Sequence, residues 1–301
     1  MELNSLVFPR PTPTYTHEQM FGKVIYIPKD YKQWKITPPH VSSQKVPAIY
    51  DQPEKVAVHG GHTGKCIPCL YLPWCEPSSK ILIYFHGNAE DIALTQELVE
   101  VLQDNLKVHI FVMEYAGYGV YEGASDAQKI LDDSEILFKY IVNTLGFAPG
   151  DLILFGRSIG SGPASYLASK YNVHSLILMS AFTSLRAVVK GFVGPLFQYL
   201  IAERFANKDC MERVKCPVFF MHGKKDNIVS YTQTEELKGL VTTDAVLHTP
   251  DDMDHNSFDF ENDFVVPLME FYATRGFTTK PEPSLQTGII ILPLKAFNKP
   301  T

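Results

Sequence analysis

Asp151-Leu-Ile-Leu-Phe155, followed at once by Gly156-Arg157-Ser158-Ile159-Gly160, is the stretch that decides the fold of this 301-residue chain. The first five residues read as a short buried strand, and a helix is predicted to begin near Ile159. A GxSxG sequence between a strand and a helix is typical of a sharp turn that presents a reactive serine. The glycines leave room where a Cβ would strike neighbouring chain. The alternative is a helix-capping serine between packing glycines.

The surrounding sequence repeats this alternation of strand and helix. Short apolar runs predict strands at Lys80–Phe85, Val108–Glu114, Asp151–Phe155, Ser175–Met179, Pro217–Met221 and Ala245–His248. Longer amphipathic stretches predict helices at Ala89–Gln103, Ala127–Leu145, Ile159–Lys170, Tyr231–Leu240 and about Val265–Thr274. Such alternation predicts an α/β fold with a mainly parallel sheet and helices on both faces. The run Cys66–Leu72 adds an antiparallel edge.

Composition divides the chain into three parts. Residues 1–60 are rich in proline, which excludes long regular elements apart from a short strand at Lys23–Ile27, and form an extension on the main domain. Residues 61–275 form the α/β domain, with Asp126 as a helix N-cap and Gly146 as a helix stop. Residues 276–301 form a C-terminal tail.

Two later loops supply the partners that a catalytic serine needs. A serine hydroxyl is a poor nucleophile until a base takes its proton. Asp226 follows the strand Pro217–Met221, and His255 follows Ala245–His248, just before the last helix. The order serine, acid, histidine is that of the α/β-hydrolase fold, and catalytic groups gather at the carboxyl ends of parallel strands. We predict Ser158 as nucleophile, His255 as base and Asp226 as acid. Other candidates for the acid are Asp251, Asp252 and Asp254, which read as a solvated loop.

The oxyanion hole requires two backbone N–H donors. One is predicted to be Ile159, the residue after the serine. The other is predicted in the turn His86-Gly87-Asn88-Ala89: the Asn88 N–H is our first choice and the Ala89 N–H the alternative. A helix starting near Ala89 would point its positive end at the site. His86 precedes the serine and reads as structural support of the turn.

Composition excludes several other functions. The net charge of −6 argues against nucleic-acid binding, which needs an excess of basic residues. Five cysteines in a chain of this size indicate reduced thiols in a cytoplasmic protein. The Cys66-x-x-Cys69 pair lacks the further ligands of a zinc site, so neither a metal nor a cofactor is predicted. The sequence also has no secretory signal and no apolar run long enough to span a membrane.

Together these residues resemble the alpha/beta hydrolase domain-containing protein 17 group of protein depalmitoylases, which are serine aminopeptidase-like hydrolases. The resemblance spans roughly residues 64–272, and it rests on HGNA at 86–89, EYAGYG at 114–119, GRSIGSG at 156–162, HGKKD at 222–226 and DHN at 254–256. An early Pro-Thr-Tyr sequence at 13–15 is also similar. The chain departs from the group at Glu114 (usually Asp), at Arg157 (often Gln) and at Met253-Asp254 (usually with a glycine). It also has no cysteine before Cys66, where the group carries an N-terminal cluster.

The resemblance implies cleavage of S-acyl thioesters on proteins, in the cytoplasm or at the membrane surface as a peripheral protein. A carboxylesterase or a monoacylglycerol lipase is the alternative, and a non-catalytic binding module is a further one. The acyl pocket is expected beneath a cap at Val188–Cys210, whose apolar residues are Phe192, Val193, Leu196, Phe197, Tyr199 and Leu200.

Overall fold

The computed structural model describes residues 8–9, 11–20, 23–30, 66–193 and 203–279, with the backbone alone for 191–193. The apolar cap side chains and almost all of the predicted tail lie outside the described residues.

Eight strands and seven α-helices make up the described part of the chain. The strands are β1 (Val24–Pro28), β2 (Cys66–Leu72), β3 (Ile81–Phe85), β4 (His109–Met113), β5 (Leu152–Arg157), β6 (Ser175–Met179), β7 (Val218–Met221) and β8 (Ala245–His248). The helices are α1 (Gln96–Leu106), α2 (Ala127–Asn143), α3 (Ser161–Lys170), α4 (Leu185–Val193), α5 (Asn207–Met211), α6 (Thr232–Leu240) and α7 (Val266–Ala273). A π-helical turn, Phe260–Val265, leads into α7.

The strands form one sheet in the order β1-β2-β4-β3-β5-β6-β7-β8. The pairs β1/β2 and β2/β4 are antiparallel, and all the others are parallel. The predicted α/β fold with a mainly parallel sheet is therefore confirmed. The strand β2 is antiparallel as predicted, but β1 lies outside it and forms the edge. Part of the predicted extension 1–60 is thus a strand of the sheet, while the domain boundaries stay predictions.

The sheet is covered on both faces because its strands alternate. In β3, Ile81, Ile83 and Phe85 enter one apolar cluster, which also contains residues of α2 and α3. Leu82 and Tyr84 point the other way, into a cluster with residues of α1 and α7. Asp126 caps α2 as predicted, since its side chain accepts a hydrogen bond from the Lys129 N–H at 3.0 Å.

Because the strands β5 to β8 are parallel and in register, their carboxyl ends are aligned across the sheet. Arg157, Met179, Met221 and His248 are successive partners across β5 to β8. The loops that follow these residues therefore start side by side along the carboxyl edge of the sheet, where an open α/β sheet places its functional groups.

The predicted helix at Ala89–Gln103 is wrong at its start, because α1 begins only at Gln96. Ala89 has a φ of 59°, which ends any right-handed helix at that residue. The Ile92 N–H donates to the Glu114 carboxylate at 3.3 Å instead of entering a helical ladder. The helix α1 therefore begins seven residues beyond Ala89, and its positive end does not lie at the predicted turn.

Candidate active site

Ser158 lies in a tight turn between β5 and α3. Its φ of 52° is left-handed, a conformation that costs a non-glycine residue about 1–2 kcal/mol. The two glycines of the motif make the turn possible. A Cβ on Gly156 would lie 2.3 Å from the Gly160 carbonyl oxygen, and one on Gly160 would lie 1.9 Å from that of Phe85. The close approach expected from the sequence is thus present on both sides of the serine.

The structure brings Ser158, His255 and Asp226 together. His255 Nδ1 lies 2.7 Å from Asp226 Oδ2, and His255 Nε2 lies 3.1 Å from Ser158 Oγ. Because a carboxylate only accepts hydrogen bonds, Nδ1 carries the ring proton. The lone pair of Nε2 then faces the Ser158 hydroxyl, which is the arrangement that a general base requires.

Asp226 is held as a carboxylate. Its Oδ1 accepts from the Ile228 and Val229 N–H groups at 2.9 and 2.8 Å. Its Oδ2 accepts from His222 Nε2 at 3.1 Å as well as from His255. Burial alone would raise the pKa of Asp226, but the hydrogen bonds from His222, His255 and Val229 outweigh it and hold that pKa well below its usual range. A charged carboxylate is therefore present to orient His255 and to stabilise its protonated form.

The other acidic residues of the last loop lie at the surface. Asp251 and Asp252 pair with Lys224 and Lys225 across exposed side chains. The carboxylate of Asp254 accepts from the N–H groups of Asn256 and Ser257 at 2.8 and 2.7 Å. These bonds are also what lowers the pKa of Asp254. Asp254 therefore shapes the loop beside His255, while Asp226 contacts the ring.

Tyr118 contacts the turn after β3, which carries the two candidate donors. Its hydroxyl donates to Asn88 Oδ1 at 2.7 Å. Burial raises the pKa of that hydroxyl most, and a hydrogen bond from the Ala89 backbone opposes the rise. The Asn88 N–H stays our predicted oxyanion donor, together with that of Ile159, and the Ala89 N–H stays the alternative.

A buried ion pair lies beneath this turn. His86 Nε2 is 3.1 Å from Glu114 Oε1, and His86 Nδ1 is 2.9 Å from the Gly87 carbonyl oxygen. Both ring nitrogens face acceptors, so the doubly protonated ring satisfies them best. Burial would lower the pKa of His86, but the hydrogen bond and charge of Glu114 outweigh it and raise that pKa. His86 thus supports the turn, as its position in the sequence suggested.

Arg157 connects the oxyanion turn to the histidine loop. Its guanidinium pairs with the Glu90 carboxylate, which in turn accepts from the Gly87 N–H at 2.7 Å. The other guanidinium nitrogen donates to the His255 carbonyl oxygen at 2.8 Å and to Asn256 Oδ1 at 2.9 Å. Arg157 is buried and directly precedes Ser158. A planar, bidentate cation of this kind fixes the distance between two loops.

Met253 lies in the histidine loop, at the position where the resemblance led us to expect a glycine. The side chain is buried, and the Met253 carbonyl oxygen accepts from the Lys225 N–H at 3.0 Å. A Cβ on Gly223 would lie 2.1 Å from that carbonyl oxygen, so the acid loop and the histidine loop are in direct contact. With Met253 in this loop, His255 still contacts both Asp226 and Ser158.

Sequence reasoning missed the supporting roles of His222, Arg157 and Glu90. A signal existed for the first two, because a histidine and an arginine end apolar strands and are buried there. A buried polar side chain needs hydrogen-bond partners, and the partners of a side chain at the carboxyl end of a strand lie at the edge of the sheet that carries the site. Glu90 has no such signal, since a partly exposed glutamate in a loop is ordinary.

Two further properties concern the described ranges only. None of their helices has the length and apolar character that a membrane crossing requires. Nor do they hold a cluster of three or more His, Cys, Asp or Glu side chains suited to a metal ion.

Comparison with known proteins finds similarity to α/β-hydrolases. No family model matches it. Alpha/beta hydrolase domain-containing protein 17C of Xenopus tropicalis is 28% identical over 235 residues, which cover 75% of this chain and 74% of the relative. Alpha/beta hydrolase domain-containing protein 17B of Homo sapiens is 27% identical over 234 residues, which cover 76% of each chain. Among solved structures, Est1E from Butyrivibrio proteoclasticus matches with a TM-score of 0.56 at 15% identity, covering 70% of this chain and 94% of Est1E.

The sheet order, the serine turn and these matches define the class of fold: the chain has the α/β-hydrolase fold. Within that class it is similar to the alpha/beta hydrolase domain-containing protein 17 group, as the sequence motifs indicated.

Proposed function

We propose that this chain is a serine hydrolase that cleaves acyl esters and thioesters through Ser158, His255 and Asp226. One observation carries the proposal: an unbroken line of hydrogen bonds runs from the Asp226 carboxylate through His255 to the Ser158 hydroxyl. A hydroxyl needs such a base, and the base needs a third group to orient it. A non-catalytic binding module would need no such alignment.

The reaction follows the usual two acyl transfers. Ser158 Oγ attacks the acyl carbonyl while its proton passes to His255 Nε2, and Asp226 stabilises the imidazolium that forms. The N–H groups of Asn88 and Ile159 receive the negative charge on the carbonyl oxygen. The proton on His255 then goes to the departing thiolate or alkoxide. Water, deprotonated by His255, attacks the acyl-enzyme and releases a carboxylic acid and free Ser158.

Long-chain S-acyl groups on proteins are the substrates that we propose first. The similarity to the protein 17 group supports this choice, and so does chemistry, because a thiolate leaves more easily than an amine. The alternatives stay a carboxylesterase or a monoacylglycerol lipase. The same resemblance supports our proposal of a cytoplasmic protein that makes peripheral contact with the membrane carrying its acylated partners.

The test is a matched panel of thioesters, esters and aminoacyl anilides with acyl chains of increasing length. We expect kcat/KM to be highest for thioesters and to rise by up to about fourfold per added CH₂, since burial yields roughly 0.8 kcal/mol per CH₂. A preference for esters with no gain from chain length would favour the short-chain esterase. A preference for the anilide would indicate a peptidase.

Ser158→Ala should abolish turnover and labelling by a fluorophosphonate probe. The matched control is Ser175→Ala, at the opposite edge of the sheet, where Ser175 Oγ lies 2.7 Å from the Tyr272 hydroxyl. That variant should keep its activity and lose only stability, measured as Tm. Labelling of Ser158→Ala at the wild-type rate would refute the proposal.

A further inference from the structure

The N-terminal segment, residues 11–20, lies against the back of the oxyanion turn. Thr14 donates to the Asp91 carboxylate twice, from its N–H to Oδ2 at 2.7 Å and from its hydroxyl to Oδ1 at 2.7 Å. The next residue, Tyr15, donates its hydroxyl to Glu114 Oε2 at 2.9 Å, and the ring is buried. The segment therefore contacts Asp91, two residues beyond the turn, and the Glu114 carboxylate beneath it.

Glu114 links Tyr15 to the turn through further hydrogen bonds. The oxygen that accepts from Tyr15 also accepts from the Ile92 N–H at 3.3 Å. The other carboxylate oxygen faces His86, whose second ring nitrogen donates to the Gly87 carbonyl oxygen. That carbonyl and the Asn88 N–H belong to one trans peptide, so they point in opposite directions. Holding the carbonyl towards His86 therefore aims the Asn88 N–H away from it.

The turn needs this support because it is strained. Ala89 adopts a left-handed φ of 59°, which persists only where the surroundings over-determine the backbone. The packing around Tyr15 is close. A Cβ on Gly119 would lie 2.2 Å from Glu114 Oε2 and 2.8 Å from the Tyr15 hydroxyl oxygen. Burial, and then the charge of Glu114, raise the pKa of Tyr15, so its hydroxyl keeps the proton that it donates.

We propose that Tyr15 is a positioning residue for the oxyanion hole: through Glu114 and His86 it fixes the peptide that carries the Asn88 N–H, and Thr14 holds Asp91, two residues after the turn. The inference rests on the proposed function and deepens it. The N-terminal segment is, on this view, part of the active site, although it lies 99 residues from Glu114 in sequence.

The experiment uses the full-length protein with Tyr15→Phe, which keeps the ring and removes the hydroxyl, and with Thr14→Val as a milder second variant. Removing one oxyanion donor costs about 100- to 1000-fold in kcat, so a misaimed donor should cost less, roughly tenfold for Tyr15→Phe. KM should stay within about twofold, because the acyl pocket is untouched. The Ki of an alkyl boronic acid, whose adduct on Ser158 carries a tetrahedral oxyanion, should rise by the same factor as kcat falls.

Tyr26→Phe is the matched control. Tyr26 belongs to β1, and its hydroxyl lies 3.0 Å from His17 Nδ1, so the variant also removes a hydroxyl that contacts this segment without touching Glu114. Its kcat and Ki should equal those of the wild type.

Three results would overturn the inference. They are an unchanged kcat in folded Tyr15→Phe, a loss confined to KM, or an equal loss in Tyr26→Phe. If Tyr15→Phe does not fold, as judged by Tm, Thr14→Val becomes the variant that tests the inference. There, a loss of kcat matched by a rise in the boronate Ki supports the inference, and wild-type values overturn it. A wild type without Ser158-dependent turnover would overturn the proposed function as well, whereas an active wild type with unaffected variants would overturn this inference alone.

Discussion

The two edges of the central sheet are built differently. At the carboxyl edge, Ala89, Ser158 and Ser180 follow β3, β5 and β6 with left-handed backbones, and buried charged side chains are packed among them. At the amino edge, Lys80 pairs with Asp151 at 2.7 Å and Ser175 contacts Tyr272. Lys107, a left-handed residue at this edge, simply ends α1. Left-handed residues next to the site and fully buried charged side chains are thus concentrated at the carboxyl edge, where the geometry of the site must be held. The amino edge is held by an ion pair and a hydroxyl contact of the ordinary kind.

The largest expected effect of breaking the carboxyl edge comes from Asp226→Asn. The substitution removes the charge that stabilises the protonated His255 and can select the wrong tautomer, so kcat should fall by a factor on the order of 10⁴. Asp254→Asn is the matched variant, since Asp254 adjoins His255 in sequence but its carboxylate bonds to Asn256 and Ser257 of its own loop. Its kcat should fall by less than about tenfold. Steady-state kinetics on one thioester measures both, and a reversed order of the two effects would show that Asp254 is the acid.

A smaller loss is expected from Arg157→Gln. Arg157 ties the Glu90 side of the oxyanion turn to the His255 loop, and displacing catalytic groups by about 1 Å can cost roughly 100-fold. We therefore expect kcat to fall by roughly 10- to 100-fold, together with a lower Tm because Glu90 loses its partner.

Lys80→Gln tests the same kind of change at the amino edge. It breaks the ion pair between Lys80 and Asp151, whose side chains are 12% and 20% exposed. It should lower Tm while leaving kcat and KM at wild-type values. Equal kinetic losses in Arg157→Gln and Lys80→Gln would mean that Arg157 contributes only to stability.

Sequence reasoning reached most of the fold because the strands carry a strong local signal. Ser175–Met179 and Ala245–His248 are predicted to the residue, since each is a short apolar run between turn residues. The positions of Ser158, Asp226 and His255 followed from motif order and strand context. The helix start at Ala89 was wrong because the contacts that hold residues 89–92 out of a helix come from Glu114 and Thr14, which are distant in sequence. The roles of His222, Arg157 and Glu90 depend in the same way on neighbours that only the folded chain brings close.

The smallest effect concerns His174 at the amino edge, and it should appear in stability alone. Burial first, and then the nearby charge of Lys80, lower the pKa of His174 from 6.5 to about 4. Between pH 6.5 and 4 the unfolded chain therefore binds a proton that the folded chain does not, so stability falls as pH drops through that window. His174→Phe removes the titrating group and keeps an aromatic ring against Tyr272 and Phe277. Its Tm should fall less steeply than that of the wild type between pH 6.5 and 4, and the two curves should run parallel above pH 7. At any pH where both proteins are folded, their kcat values should agree, because the ring lies away from the edge that carries Ser158. Parallel curves over the whole range would show that His174 titrates alike in the folded and unfolded chains, and a changed kcat would contradict the separation of the two edges.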